Sequence, residues 1–228
     1  MYLEDSCWTE GIFLEESRSR FLCKVNIAGE VSECYVPSSC KLGKLVDLEG
    51  KEVLLRPVSK KNARTQFAVQ AIKNDKEYIL LNLADANRII YDNIQRRFFS
   101  FIGRRKHIRN EIVVDGYKAD LYVEDTDTIV EIKTLLSPSK NAVFPSVASK
   151  RAEEQLQKIE RLLETHKVCY IITSLNPATK SIELNSAMGQ YEELFNKCIS
   201  RGMKCRGYSI VLNENKVPEV KRSIPIRV

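Results

Sequence analysis

The chain has 228 residues, 43% of them hydrophobic and 29% charged. That is the balance of an ordinary soluble globular protein, and it excludes disordered, collagenous and mucin-like chains. The formal net charge is +6, and no apolar run approaches the roughly 20 residues of a membrane-spanning helix.

The N-terminus carries Glu4 and Asp5 where a secretory leader would carry Lys or Arg. This predicts a cytoplasmic protein with no membrane partner. Residues 1–84 then read as short strands at 20–25, 31–36, 53–55, 67–72 and 78–81, with turn residues at Glu49-Gly50 and Lys73-Asn74-Asp75. Five short strands at this spacing predict a small β-barrel of the oligonucleotide-binding type, spanning 1–84. Tyr35 and Phe67 would stack bases if they faced outward on the barrel; both are assigned to its core, and Trp8 and Tyr2 to packing.

After Asp85 the period changes. Ala86, Ile89, Ile90, Asn93, Ile94, Phe98 and Phe101 fall at helical spacing with Asp85 as cap. Strands near 111–114, 117–123 and 128–134 follow, then a helix over 149–165, a buried strand at 168–172, a helix near 191–199 stopped by Gly202, and a strand near 206–212. This order predicts an α/β domain with a mixed sheet over 85–228.

Charge is unevenly spread. Residues 1–85 hold 12 basic and 13 acidic residues, while 86–228 hold 24 and 17. Segment 88–109 carries Arg88, Arg96, Arg97, Arg104, Arg105, Lys106 and Arg109 against Asp92 alone. The acid-free stretch 53–74 carries Arg56, Lys60, Lys61 and Arg64 together with Lys73. Such patches attract polyanions, so nucleic acid, DNA or RNA, is the expected partner. A solvated helix face is the plainer account of either patch alone. The seven cysteines include no Cys-x-x-Cys pair, which argues against structural zinc and for reduced, buried thiols. With only His107 and His166, chemistry built on several histidines is excluded. His107 is assigned to the basic patch.

The chemistry concentrates in 117–133. Glu124-Asp125-Thr126-Asp127 is a good hairpin turn. If Val123 pairs with Thr128, the register sets Asp120 opposite Glu131, on one face with Lys133. Ala119, Leu121, Val123, Val130 and Ile132 then form an apolar face. Opposed carboxylates call for neutralisation, and Mg²⁺ takes carboxylate, phosphate and water oxygens. A lysine beside them can position a metal-bound water for attack on phosphorus. The competing account is a solvated hairpin face on which Lys118 and Lys133 offset the acids.

These residues also carry a resemblance. Asp120, followed after ten residues by Glu131-Ile132-Lys133 and preceded by Glu111, resembles the core of the PD-(D/E)-x-K nuclease superfamily, with Ala119 in place of the usual proline. The chain as a whole resembles the sugar fermentation stimulation protein family of DNA/RNA nucleases. The resemblance runs through Arg18-Ser19-Arg20-Phe21-Leu22, Tyr35-Val36-Pro37-Ser38-Ser39, Ala86-Asn87-Arg88-Ile89, Asn110-Glu111-Ile112-Val113, Val130-Glu131-Ile132-Lys133, Phe144-Pro145, Arg151 and Ser223-Ile224-Pro225-Ile226. It implies an N-terminal oligonucleotide-binding barrel joined to a restriction-endonuclease-like domain, and a nuclease using Mg²⁺ or Mn²⁺. Asp120, Glu131 and the Ile132 carbonyl would be metal ligands, and Lys133 would serve the water. Glu111 would act on the metal directly or through water, and Arg151 on phosphate. Several family positions differ: Tyr117-Lys118 replaces Ser-Arg, Ser146 and Ser149-Lys150-Arg151-Ala152 replace acidic segments, and Gln155 replaces a histidine. Gln155 is read as a surface residue. The alternative to a nuclease is a non-catalytic, regulatory nucleic-acid-binding protein of the same fold. A weaker third reading is a module whose basic helix binds an acidic protein.

Overall fold

The computed structural model describes residues 8–19, 21–37, 48–59, 63–147 and 149–227. Its first unit is built from β1 (Thr9–Glu16), β2 (Leu22–Ile27), β3 (Glu30–Tyr35), β4 (Glu52–Pro57) and β5 (Phe67–Asn74). β2 and β3 are joined by a two-residue turn, Ala28-Gly29, with both φ angles positive, as such hairpins require. β1 pairs antiparallel with β2 and β4, and β4 pairs with β5. A parallel bridge from Tyr35 to Ala68 joins β3 to β5 and closes the barrel. Phe13, Cys23, Val25, Cys34, Val53, Leu55 and Val69 fill its interior.

The barrel is five-stranded, as the sequence predicts, but its strands are not all the expected five. β1 is the strand the pattern concealed. Its alternation breaks at a register shift between Phe13 and Glu15, and it contains Gly11, where a Cβ would lie 2.5 Å from the Val25 side chain. The expected fifth strand is instead β6 (Glu77–Leu80), a hairpin extension on β5.

The second sheet has the order β14-β13-β11-β9-β8-β7. Its members are β7 (Ile108–Val114), β8 (Tyr117–Val123), β9 (Thr128–Leu135), β11 (Lys167–Ser174), β13 (Lys204–Leu212) and β14 (Pro218–Ile224). β7, β8 and β9 form an antiparallel meander, β9, β11 and β13 run parallel, and β14 is antiparallel to β13. α2 (Lys150–Leu162) and α3 (Gly189–Ser200) cover one face. The Ser149 hydroxyl caps α2 by accepting from the Ala152 N–H. A small parallel sheet of β10 (Asn141–Phe144), β12 (Ser181–Leu184) and β15 (Ile226–Arg227) lies alongside. No helix of the described residues is long and apolar enough to cross a membrane.

α1 (Asp85–Asn93) lies on the other face and stops earlier than its apolar period suggests; a 3₁₀ segment takes over at Arg97–Ile102. Asp85 is its first helical residue and not its cap. Ala84 stands at the cap position with no side-chain cap bond, and Asn82, two residues ahead of it, accepts from the Ala84 N–H and donates to Asp85. Beneath α1, the barrel and the second sheet share one core: Leu54, Ala71 and Leu80 pack with Ile89, Ile90, Val130, Ile171, Tyr208 and Ile210. That explains the unbroken apolar run in β4, buried on both sides. Because Ile90 is fully buried there, Ile90→Ala should cost about 2–5 kcal/mol of stability. Urea transitions followed by fluorescence of the single Trp8 and by far-UV circular dichroism should shift together, since one core joins the two units.

Candidate active site

The β8–β9 hairpin forms in the expected register, with Val123 opposite Thr128 and Leu121 opposite Val130. Its turn is a short 3₁₀ segment closed by Asp127 at positive φ. Leu121, Val123, Val130 and Ile132 face the core under α1 as predicted. Ala119 does not. It and Tyr117 pack on the opposite side, with α2 and α3. β8 therefore changes sides at Asp120, and the β8–β9 pairing stops there. The neighbouring strand is irregular at the same level: Glu111 has φ of 50° and lies between the pairs Asn110–Leu121 and Ile112–Ala119. Asp120 is thus not in a simple ladder opposite Glu131. One of its oxygens accepts from the Ile132 N–H at 2.8 Å and the other from the Asn87 amide of α1 at 2.8 Å.

Glu131 is 2% exposed. Its Oε2 accepts from the Tyr117 hydroxyl at 2.5 Å, and its Oε1 accepts from Lys133 Nζ and Gln155 Nε2, both at 2.6 Å. Gln155 closes the ring, its Oε1 accepting from Lys133 at 2.6 Å and its Nε2 donating to the Tyr117 oxygen at 3.0 Å. Gln155 is therefore not the free surface glutamine expected. Burial holds the Glu131 carboxyl above the usual range; Lys133 pulls it down, and nearby Asp120 pushes it up again. Burial first, then Glu131, pushes the Tyr117 hydroxyl far up. Tyr117 and Asn87 are site residues that sequence reasoning missed. Asn87 stood inside a quoted motif without a role, and Tyr117 looked like a departure only.

The donor set suits a hard divalent cation. The Asp120 and Glu131 carboxylates would supply two of its oxygens, with water and phosphate left to complete the shell. A buried carboxylate with a raised pKa is short of positive charge, and a cation would relieve it. Glu111 does not join the other two acids. Its carboxylate is paired with Lys118 at 2.9 Å and is mostly exposed. Among the described residues, no three His, Cys, Asp or Glu side chains gather as a ligand set.

The basic residues are less free than their number suggests. Arg88 pairs with Asp85, Arg96 with Glu219, Arg104 with Asp125 and Arg109 with Glu124. Arg105 is turned onto the carbonyls of Ile94 and Gly103. Arg56 lies over the Trp8 ring at 4.2 Å, and Arg64 pairs with Glu33 at 3.3 Å. Arg97, Lys106 and Arg151 are exposed. Arg151 sits one helical turn before Gln155 on α2. Lys60 and Lys61 lie outside the described residues, as do Tyr2, Cys7 and Cys40. The five described cysteines are free thiols, four of them buried.

The partners of both histidines are acids other than Asp120 and Glu131. His107 joins Asp125. His166 bridges two turns, with Nδ1 2.6 Å from Asp127 and Nε2 3.0 Å from Asp115. Burial alone would lower its pKa, but the two carboxylates override that and raise it. A raised folded pKa gives stability that is complete below the unfolded value and is lost as pH rises through the folded value. His166→Gln should therefore lower the urea midpoint most at about pH 5–6, and the gap from wild type should narrow above neutrality.

Comparison with known proteins gives a consistent picture. Residues 84–216 match the family model described as the sugar fermentation stimulation protein RE domain, and residues 17–81 match the one described as the SfsA N-terminal OB domain. A sugar fermentation stimulation protein homolog of Desulforamulus reducens is 22% identical over 224 residues, covering 96% of this chain and 92% of the relative. A homolog of Thermosipho melanesiensis is 29% identical over 153 residues, covering 67% and 64%. The fold matches the structure of Pyrococcus furiosus SfsA in complex with Ca²⁺, with a TM-score of 0.79, 14% identity, and coverage of 99% of this chain and 98% of that one.

Proposed function

This chain belongs to the sugar fermentation stimulation protein family, and we propose that it is a divalent-cation-dependent nuclease that hydrolyses phosphodiester bonds of DNA or RNA. The observation that carries this reading is Glu131: a nearly buried carboxylate, bonded to Lys133 two residues on, beside an Asp120 that sits where β8 leaves its ladder. A fold seeking only stability gains little from such a site, because replacing buried ions with apolar side chains is often neutral or stabilising. That the similar Pyrococcus furiosus protein was solved with Ca²⁺ supports a cation site here.

Asp120, Glu131 and the Ile132 carbonyl would hold Mg²⁺ or Mn²⁺. When bound, the ion supplies charge to a phosphoryl oxygen and lowers the pKa of a water. Lys133 orients that water through its ammonium. Gln155 and Tyr117 fix the Glu131 carboxylate and, through Gln155, the direction of Lys133. Glu111, exposed and paired with Lys118, is left out of this set. Arg151, one turn from Gln155, takes a neighbouring phosphate, with Arg97 and Lys106 drawing in the backbone.

A second reading, a nucleic-acid-binding protein without catalysis, is favoured by one observation: every carboxylate oxygen of Asp120 and Glu131 already has a protein partner. Both Asp120 oxygens and Glu131 Oε2 still have a second lone pair to offer, whereas Glu131 Oε1 already accepts two bonds. One variant separates the readings. Lys133→Gln removes the cation bonded to Glu131, which should cost about 1–3 kcal/mol of stability. Assayed well below its melting temperature, it should bind single- and double-stranded DNA and RNA as wild type does. Cleavage in Mg²⁺ or Mn²⁺ should fall by roughly 10²-fold or more, and chelator should abolish the wild-type activity. Wild-type protein that binds nucleic acid but cuts none of these substrates in either metal would establish the second reading.

A further inference from the structure

A second hollow opens beside the acids, and the chemistry assigned to them does not use it. β9 runs from Glu131 through Lys133 to Leu135, and alternate residues of a strand share a face about 7 Å apart. Leu135 belongs with Tyr117 to the core on the α2 side of the sheet and also lines a cleft of about 590 Å³. The cleft therefore begins one step past Lys133, on the face where Lys133 meets Gln155. It lies beyond the carboxyl end of β9, the place where open α/β sheets receive their ligands. Both walls are braced by the protein itself. Asn176 donates to the Ser137 carbonyl at 2.8 Å. Asn185 donates its side-chain amide to the Pro145 carbonyl at 2.9 Å and its backbone N–H to the Phe144 carbonyl at 2.8 Å.

No Asp, Glu, Lys, Arg or His side chain lines the cleft. Its apolar part includes Val143 and Val147, which are 45% and 71% exposed. Its polar part is made of hydroxyls and amides. The Ser137 and Ser139 oxygens accept from the N–H groups of Ser139 and Asn141, at 3.2 Å each, so both hydroxyl hydrogens are left to donate. The Asn141 amide oxygen accepts from Ser181 at 2.9 Å, which leaves its NH₂ group to donate. The volume falls in the range of sites that bury small molecules. Without a cation, the cleft has no grip on a phosphate. Apolar walls with a few neutral donors suit a flat, uncharged group that accepts hydrogen bonds. A nucleotide base is such a group, with apolar ring faces and with carbonyl and ring-nitrogen acceptors at its edge. The base also stands several ångströms from its own phosphate. A nucleotide whose phosphate lies at Lys133 thus reaches the cleft with its base.

We propose that this cleft is a subsite for the nucleoside next to the phosphate that the carboxylates engage, and that it holds the base through neutral contacts alone. This rests on the reading of the chain as a nuclease, and it names the part of the substrate recognised beside the cut. The chemistry is common to deoxyribonucleosides and ribonucleosides.

The test is isothermal titration calorimetry in the presence of Ca²⁺. The probes are thymidine phosphorylated at both sugar hydroxyls, the same bisphosphate of deoxyribose without a base, and uridine phosphorylated at the corresponding positions. None contains an internucleotide bond, so nothing is cut during the titration. Wild type should bind the thymidine probe roughly tenfold or more tightly than the base-free one, as burying a ring face and making a hydrogen bond would give. Ser146→Phe and Val143→Phe, both on the cleft wall, should each reduce that advantage to about twofold or less. Both should bind the base-free probe as wild type does, which also shows that they fold. The uridine probe separates the sources: an advantage equal to that of thymidine assigns the cleft to either sugar, and a smaller one assigns it to deoxyribonucleosides. Wild-type protein that binds all the probes alike would overturn the proposal without any variant having to fold. So would phenylalanine variants that keep the full advantage of the base. Failure of the nuclease reading looks different. Wild type that favours the base-bearing probes but cuts no nucleic acid in Mg²⁺ or Mn²⁺ would remove the nuclease and keep the base site, whereas cleavage without a base advantage would remove only the base site.

Discussion

The constraint on which the rest depends is the burial of Glu131. A carboxylate taken out of water must be given partners or lose its charge. Here three side chains from three elements converge on it: Tyr117 from β8, Lys133 from β9 and Gln155 from α2. Each partner fixes an element against the sheet. β8 must cross to the α2 side to bring Tyr117 within reach, and that crossing frees Asp120 from the ladder. The freed Asp120 is then held by Asn87 and the Ile132 N–H, which ties α1 to the same spot. Two helices on opposite faces of the sheet thus meet one pair of carboxylates.

The shared core explains why this site comes with a barrel. α1 packs its apolar face against β4, β5 and β6 on one side and against β9, β11 and β13 on the other. The helix that supplies Asn87 to the acids is therefore also the wedge between barrel and sheet. Trp8 adds a second tie, donating to the Lys216 carbonyl beyond β13 while stacking under Arg56. A barrel that moved as a separate body would take α1 and Asn87 with it.

Much of this was legible in the sequence wherever a local rule decided the matter. The turn 124–127 set the hairpin register, so the placement of Leu121, Val123, Val130 and Ile132 followed by counting. The strand β1 was not legible, because a bulge and Gly11 erase its alternation, and both answer to its packing against β2, which no local pattern shows. β10, β12 and β15 were too short to show a period. The switch at Asp120 was hidden for a related reason: Ala119 is small and apolar and suits either face, so only tertiary packing decides its side. Gln155 looked like a surface residue because nothing in a helical pattern marks which polar position faces a buried acid. Tyr35 is expected in the core, with an outward position as the alternative; it is 40% exposed, while its neighbours Cys34 and Val36 on the other side of the chain are buried.

Charge is the quantity that sequence counting misled most. Segment 88–109 reads as a strip of seven cations, yet the turn that closes the β8–β9 hairpin supplies acids to much of it. Asp125 accepts from the N–H groups of Lys106 and His107 and pairs with Arg104, while Glu124 takes Arg109. Those backbone bonds, first of all the one from His107, hold the Asp125 carboxyl below its usual range, so it stays charged and stays bonded. The strip is thus fastened to the hairpin that bears Glu131, and its direction relative to the acids is fixed. The same fastening limits its grip. A phosphate reaching Arg104 or Arg109 must share the guanidinium with a carboxylate already there, and shared exposed pairs yield little net attraction. The strip therefore offers far less free positive charge than its seven cations suggest.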